Sequence, residues 1–117
     1  MTGGYRPSIC AVIPAYNAAR FLRATLESVL AQSYPVTECI VVDDGSVDST
    51  ANIVGEFDAL VTPLSQTNQG VAAARNRGVM EATSDLIAFC DADDVWQQDK
   101  LELQIQALAE DPQASSA

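Results

Sequence analysis

Four short apolar runs rich in β-branched residues punctuate this chain, and each is followed by a stretch with helical spacing. No other feature constrains the fold as tightly. "SICAVI" (8–13) ends at Pro14 and precedes "ARFLRATLESVLAQ" (19–32), which places Phe21, Leu22, Leu26, Val29 and Leu30 on one helical face. Asn17 stands where an N-cap would, and "SYP" (33–35) ends that helix. "ECIVV" (38–42) reads as a second buried strand, and "DDGSVDSTANIVGEF" (43–57) as a turn and a helix capped by Ser46 or Asp48. "ALVTPL" (59–64) is a weaker third strand whose Pro63 suits a sheet edge or a strand end. "NQGVAAARNRGVMEA" (68–82) reads as a helix with a small-residue face of Val71, Ala74, Gly78 and Ala82, which would let it lie close to a sheet. "LIAFC" (86–90), apolar on both faces, is expected in the sheet centre. "QQDKLELQIQALAE" (97–110) closes the pattern, with Leu101, Ile105 and Leu108 inward and "DPQASSA" as a frayed tail.

The order β-α-β-α-β-α-β-α implies an α/β fold, a Rossmann-like parallel sheet with helices on both faces. Right-handed crossovers limit its topology. In such sheets ligands bind beyond the carboxyl ends of the strands, where the strand order reverses. The polar clusters "PAYN", "DDGS" and "DADD" follow strands 1, 2 and 4. A parallel sheet would bring all three to one rim.

The chain is one domain's length, 117 residues, with 48% hydrophobic and 19% charged residues, so a core can form. Six Lys+Arg against sixteen Asp+Glu leave a net charge of −10, which argues against nucleic acid as a partner. A small phosphorylated ligand stays compatible, because a divalent ion can bridge carboxylates to phosphate oxygens. Histidine is absent, which removes His-based acid–base and nucleophile systems and most zinc sites. Cys10, Cys39 and Cys90 lie in or beside hydrophobic runs and are expected to be reduced and buried, as in a cytoplasmic protein. "MTGGYRPS" leads into too short an apolar run for a signal peptide.

Each cluster has a structural and a chemical reading. In "PAYN" (14–17) the Tyr16 ring could stack on a base, or the stretch could be a plain strand-to-helix turn. In "VVDDGS" (41–46) a carboxylate could accept a base N–H or a ribose hydroxyl, although Asp and Gly favour turns anyway. Asp91, Asp93 and Asp94 fall within four positions. Two carboxylates about 6 Å apart repel by about 2–3 kcal/mol at an effective dielectric of about 20. The cluster is either a solvated acidic turn or a source of oxygen ligands for Mg²⁺ or Mn²⁺. No G-x-G-x-x-G follows strand 1, and no G-x-x-x-x-G-K-[ST] is present.

Taken together, "VIPAYNAARFLRATLESVLAQSY", "IVVDDGSVDST", "NQGVAAARNRG" and "LIAFCDADDVWQQDKLELQ" resemble the N-terminal half of family 2 glycosyltransferases of the GT-A fold, over roughly residues 8–106. The resemblance implies that Pro14, Ala15, Tyr16 and Asn17 line a nucleotide-base pocket. It implies that Asp43 and Asp44 contact the base or ribose, and that Gly70, Arg75 and Asn76 border the nucleotide-sugar. "DAD" would be the family's D-x-D motif, with Asp93 as metal ligand and Asp91 holding ribose or assisting the Mg²⁺ or Mn²⁺. Asp94 would face the sugar or cap the next helix. The implied partner is a nucleotide-diphosphate sugar, a UDP-sugar by default, for inverting transfer to an acceptor hydroxyl activated by a carboxylate general base.

Family members continue well beyond the D-x-D segment, and no carboxylate here matches the general base by motif. That base is therefore expected outside this chain. Residues 1–117 would be the nucleotide-sugar-binding part of a truncated transferase domain, inactive alone, cytoplasmic or at the inner membrane face in a longer form. Gln98, where many relatives have proline, is expected to soften the last helix's start. A catalytically inactive binding or assembly remnant, with an exposed edge favouring a homo-oligomer, is the alternative. A phospho-acceptor receiver domain fits less well, because its acidic residues follow strands 1 and 3. A nucleotidyltransferase would need a Gly-rich basic loop after strand 1.

Overall fold

The computed structural model describes residues 6–110. The start "MTGGY" and the expected frayed tail lie outside the described residues. The elements are β1 (Ile9–Ala15), α1 (Leu22–Leu30), β2 (Glu38–Asp44), α2 (Thr50–Gly55), β3 (Thr62–Gln66), α3 (Val71–Glu81), β4 (Leu86–Phe89) and α4 (Lys100–Glu110). The four strands form one parallel sheet in the order β3-β2-β1-β4. Alternate residues of β1 serve the two faces. Ile9, Ala11, Ile13 and Ala15 join a core with Leu22, Leu26 and Val29 of α1, Ile53 and Val54 of α2, and Leu101 and Ile105 of α4. Cys10 and Val12 join Ile40, Val42 and Ala74 beneath α3.

The small-residue face of α3 does what its composition suggests. A Cβ added at Gly78 would stand 2.4 Å from Val12 Cγ1, so the helix sits against β1 only because position 78 lacks one. Ala74 and Gly78 are buried. Val71, expected on the same face, is 52% exposed. Pro63 falls within β3 at the sheet edge, as expected, but the strand starts three residues later than the sequence pattern suggests.

Several expectations are corrected. β4 is an edge strand of the described sheet, not a central one, and Phe89 is 48% exposed. Its apolar side chains meet both cores only in part and line an open groove of about 410 Å³ with Trp96, Leu101 and Ile105. Apolar character on both faces showed that β4 needs cover, but pairing partners decide edge from centre. Phe21 lies outside the buried stripe of α1, whose inward residues are Leu22, Thr25, Leu26 and Val29. Asn17 does not cap α1, which begins at Leu22 after a turn closed by Phe21 N–H and Leu22 N–H on Ala18 O. α2 is only six residues long and has Ser49 at its N-cap. α4 begins at Lys100, and the Gln98 carbonyl before it accepts Ser33 N–H at 2.9 Å.

Candidate functional site

The strand order reverses between β1 and β4, because β2 and β3 extend one way from β1 and β4 lies on the other side. The carboxyl ends of β1 and β4 flank that switch point. Ladder pairing of β1 with β4 stops at Val12↔Phe89. Pro14 therefore costs no bond on that side, which explains how a proline sits in an interior strand. Pro14 and Ala15 are buried in β1, and the Ala15 side chain belongs to the core. Any part these two play at the rim falls to their backbone, and Tyr16 is the first side chain to emerge, 53% exposed.

Two loops are clasped together at this rim. Asn17 has φ +48°, in the left-handed region that Asn tolerates better than most residues. Its N–H donates to Ser46 Oγ at 2.8 Å, and its Oδ1 accepts Val47 N–H at 2.9 Å. Ser46 N–H in turn donates to Asp43 Oδ1 at 2.9 Å. Below this, Ala18 N–H donates to Thr50 Oγ1 at 2.9 Å and Ala19 N–H to Asp48 Oδ2 at 3.2 Å. Asp48 also accepts the Thr50 hydroxyl and backbone N–H. Those bonds, the Thr50 hydroxyl foremost, hold the Asp48 carboxyl below its usual value. Asp48 thus braces the start of α2 from the position before its N-cap, which is Ser49 and neither of the expected Ser46 or Asp48.

The adjacent aspartates of β2 divide their work. Asp44 is buried, 3% exposed. Its Oδ1 accepts Gln66 Nε2–H at 2.9 Å and Gln69 N–H at 2.8 Å, and its Oδ2 accepts Gly70 N–H at 2.9 Å. The Gln66 amide is the foremost cause of a carboxyl pKa below the usual one, and the two backbone donors add to it against the opposing effect of burial. Gly70 has φ +102°, a backbone that L side chains avoid, and it opens α3. Asp43 is partly exposed.

Beyond β4, Asp91 and Asp93 are exposed. Arg75 Nη2 reaches from α3 to Asp91 Oδ1 at 3.2 Å, and its guanidinium lies 5.7 Å from the Phe89 ring centre. Arg75 Nε is buried without a hydrogen-bond partner among the described residues. Asp93 makes no hydrogen bond or ion pair among the described residues, and Asp94 Oδ1 accepts Val95 N–H at 3.0 Å. Asn76 is exposed on α3. Among the described residues, no three His, Cys, Asp or Glu side chains converge into a metal cage. Two exposed carboxylates, Asp91 already sharing one oxygen with Arg75, would suit a hard ion that keeps waters and takes phosphate oxygens rather than a closed structural site. The three thiols are free and buried, each pushed up to about 12 chiefly by burial.

Sequence reasoning missed Thr25, Ser28 and Gln32, which tie α1 to the segment after β4. Thr25 Oγ1 donates to Ala92 O at 2.8 Å. The available signal was a threonine interrupting the apolar stripe of α1.

The parallel sheet with its helices has the GT-A fold of known glycosyltransferases. A mannosyltransferase from Pyrobaculum calidifontis, solved with GDP-Man and Mn²⁺, superposes with TM-score 0.83 at 31% identity, over 91% of this chain and 33% of that one. S. aureus TarS 1–349, solved with UDP, superposes with TM-score 0.80 at 28% identity, over 88% of this chain and 32% of that one. The chain belongs to glycosyl transferase family 2, whose profile matches residues 10–116. WfgD of Escherichia coli, a UDP-Glc:alpha-D-GlcNAc-diphosphoundecaprenol beta-1,3-glucosyltransferase, is 40% identical over 99 residues, which make up 83% of this chain and 39% of that protein. The chain spans less than half the length of the curated relatives it matches. No helix among the described residues is long and apolar enough to cross a membrane.

Proposed function

We propose that this chain binds a nucleotide-diphosphate sugar, a UDP-sugar by default, at the carboxyl rim of its sheet. The observation that carries this reading is the Arg75–Asp91 contact, which joins the α3 motif to the acidic turn after β4 beside the switch point. Tyr16 offers a ring for the base, and Asp43 stands on the base or ribose side. Asp44 anchors the 66–70 loop that borders the ligand. Gly70, Arg75 and Asn76 lie along the diphosphate and sugar. Asp93, with Asp91, would hold Mg²⁺ or Mn²⁺ as a D-x-D pair, and the ion when bound neutralises charge on the leaving diphosphate. The Mn²⁺ and GDP-Man of the Pyrobaculum structure support the donor set.

For the whole protein we propose inverting transfer to an acceptor hydroxyl, with a carboxylate general base supplied from outside the motifs carried here. For residues 1–117 alone the proposal is donor binding without transfer. Calorimetric titration with UDP and GDP, with and without Mn²⁺, tests it. Metal-enhanced binding that Asp93→Ala abolishes is expected. A protein folded by circular dichroism that takes up no nucleotide would refute the reading.

A further inference from the structure

Three polar residues face inward from α1 and the turn that ends it. Thr25 is fully buried, Gln32 is nearly so, and Ser28 is half-buried. Positions 25, 28 and 32 follow the i, i+3, i+7 spacing of a single helix face. Buried hydroxyls and amides are costly unless they are hydrogen-bonded, and here every one is aimed at backbone of the segment after β4. Thr25 Oγ1 donates to Ala92 O at 2.8 Å, and Ser28 Oγ accepts Trp96 N–H at 3.0 Å. Gln32 Nε2 donates to Gln97 O at 2.6 Å, while its Oε1 accepts Leu101 N–H at 3.0 Å.

Ala92 stands between Asp91 and Asp93. Asp93 makes no side-chain bond of its own among the described residues, so its place at the rim is set by the backbone beneath it. We propose that Thr25, Ser28 and Gln32 form a positioning row that fixes the 91–101 segment as one unit. Thr25 then sets the carbonyl between the two carboxylates and so the spacing they offer to a divalent ion. This rests on the proposed roles of Asp91 and Asp93. The row does not touch the ligand; it acts as outer-shell partners of metal ligands do, where loss typically costs about 10–100-fold in metal affinity.

The test pairs two measurements on the full chain. Titration of UDP with and without Mn²⁺ is compared for wild type, Thr25→Val, which keeps the shape and loses the donor, and Thr25→Ser, which keeps the donor. Thr25→Val should cut the Mn²⁺-dependent gain by about tenfold or more, and Thr25→Ser should restore most of it. Equal gain in wild type and Thr25→Val, or equal loss in both variants, overturns the role of the hydroxyl. Amide hydrogen exchange at Trp96 and Leu101 needs no ligand. Ser28→Ala should speed exchange at Trp96, and Gln32→Leu at Leu101, by about tenfold or more. Unchanged exchange refutes the row. If wild type shows no Mn²⁺-dependent gain, the roles of Asp91 and Asp93 fall, and with them Thr25's link to metal. The exchange result then decides on its own whether the row holds the segment.

Discussion

Gly78 and Gly55 both lie in helices, yet the same substitution should move stability in opposite directions. At Gly55 an added Cβ meets nothing within 4 Å. Gly55→Ala should therefore gain up to about 1 kcal/mol, through helix propensity and a less flexible unfolded chain. At Gly78 the new Cβ would stand 2.4 Å from Val12 Cγ1 and 3.3 Å from Cγ2. Carbon atoms pack at about 3.5–4.0 Å, so α3 must retreat by about 1 Å or Val12 must leave its rotamer. Val12 is fully buried in a small cluster with Ile40, Val42 and Ala74, which leaves it little room. Overpacking of this kind costs about 1–3 kcal/mol. The propensity gain of about 1 kcal/mol leaves a net cost of about 0–2 kcal/mol, and a 2.4 Å approach to a fully buried β-branched side chain puts Gly78→Ala in the upper half of that range. Retreat of α3 would also draw Arg75, three residues earlier, away from Asp91, where the contact is now 3.2 Å. Urea denaturation followed by circular dichroism should show midpoints displaced in opposite senses for the two variants. Val12→Ala combined with Gly78→Ala should cost less than the sum of the single changes, because the truncated side chain makes room for the new methyl. Strict additivity, or equal shifts at both glycines, would show that α3 is not held at this distance by position 78.

Asp44 should make acid stability depend on its three donors. Its folded pKa lies below the usual 3.8, so its stabilisation is present above that value and is lost as pH falls through the lower folded pKa. Asp44→Asn should therefore cost most well above pH 3.8, and the gap to wild type should close as pH falls from there through the lower folded pKa; denaturation curves across that range would expose a pH-independent gap as the contrary result. Arg75→Met keeps the apolar stem and removes the charge. It should lower UDP affinity by about five- to tenfold in the calorimeter while changing stability by less than about 1 kcal/mol, since the ion pair is largely exposed. Unaltered affinity would remove Arg75 from the site.

The alternation of strands and helices was legible because it is a local pattern, and a parallel sheet then carries the polar clusters to one rim without further information. The edge position of β4 was not legible, since it depends on partners far away in sequence. Asn17 looked like a cap because caps and left-handed turns draw on the same residues; its φ of +48°, the helix start at Leu22 and the 2.9 Å bond to Val47 N–H separate the two roles. Thr25 was passed over because periodicity counts apolar positions, and a buried threonine with a backbone partner looks like an interruption.

The aspartates at the end of β2 carry a division of labour that is written in the strand period itself. Successive side chains of a strand point to opposite faces. Two adjacent aspartates in β2 therefore cannot both turn toward one ligand in the same way. Asp44 pairs with Gln66 across the ladder to β3, and so turns toward the loop that leads into α3. Asp43 pairs with Ala15, at the mouth of the β1 loop. Three donors converge on the Asp44 carboxylate, while among the described residues the Asp43 carboxylate accepts only from Ser46 of its own turn. The strand period alone predicts that such a pair splits into one buried anchor and one side chain left at the rim. The burial of Asp44 then decides which is which.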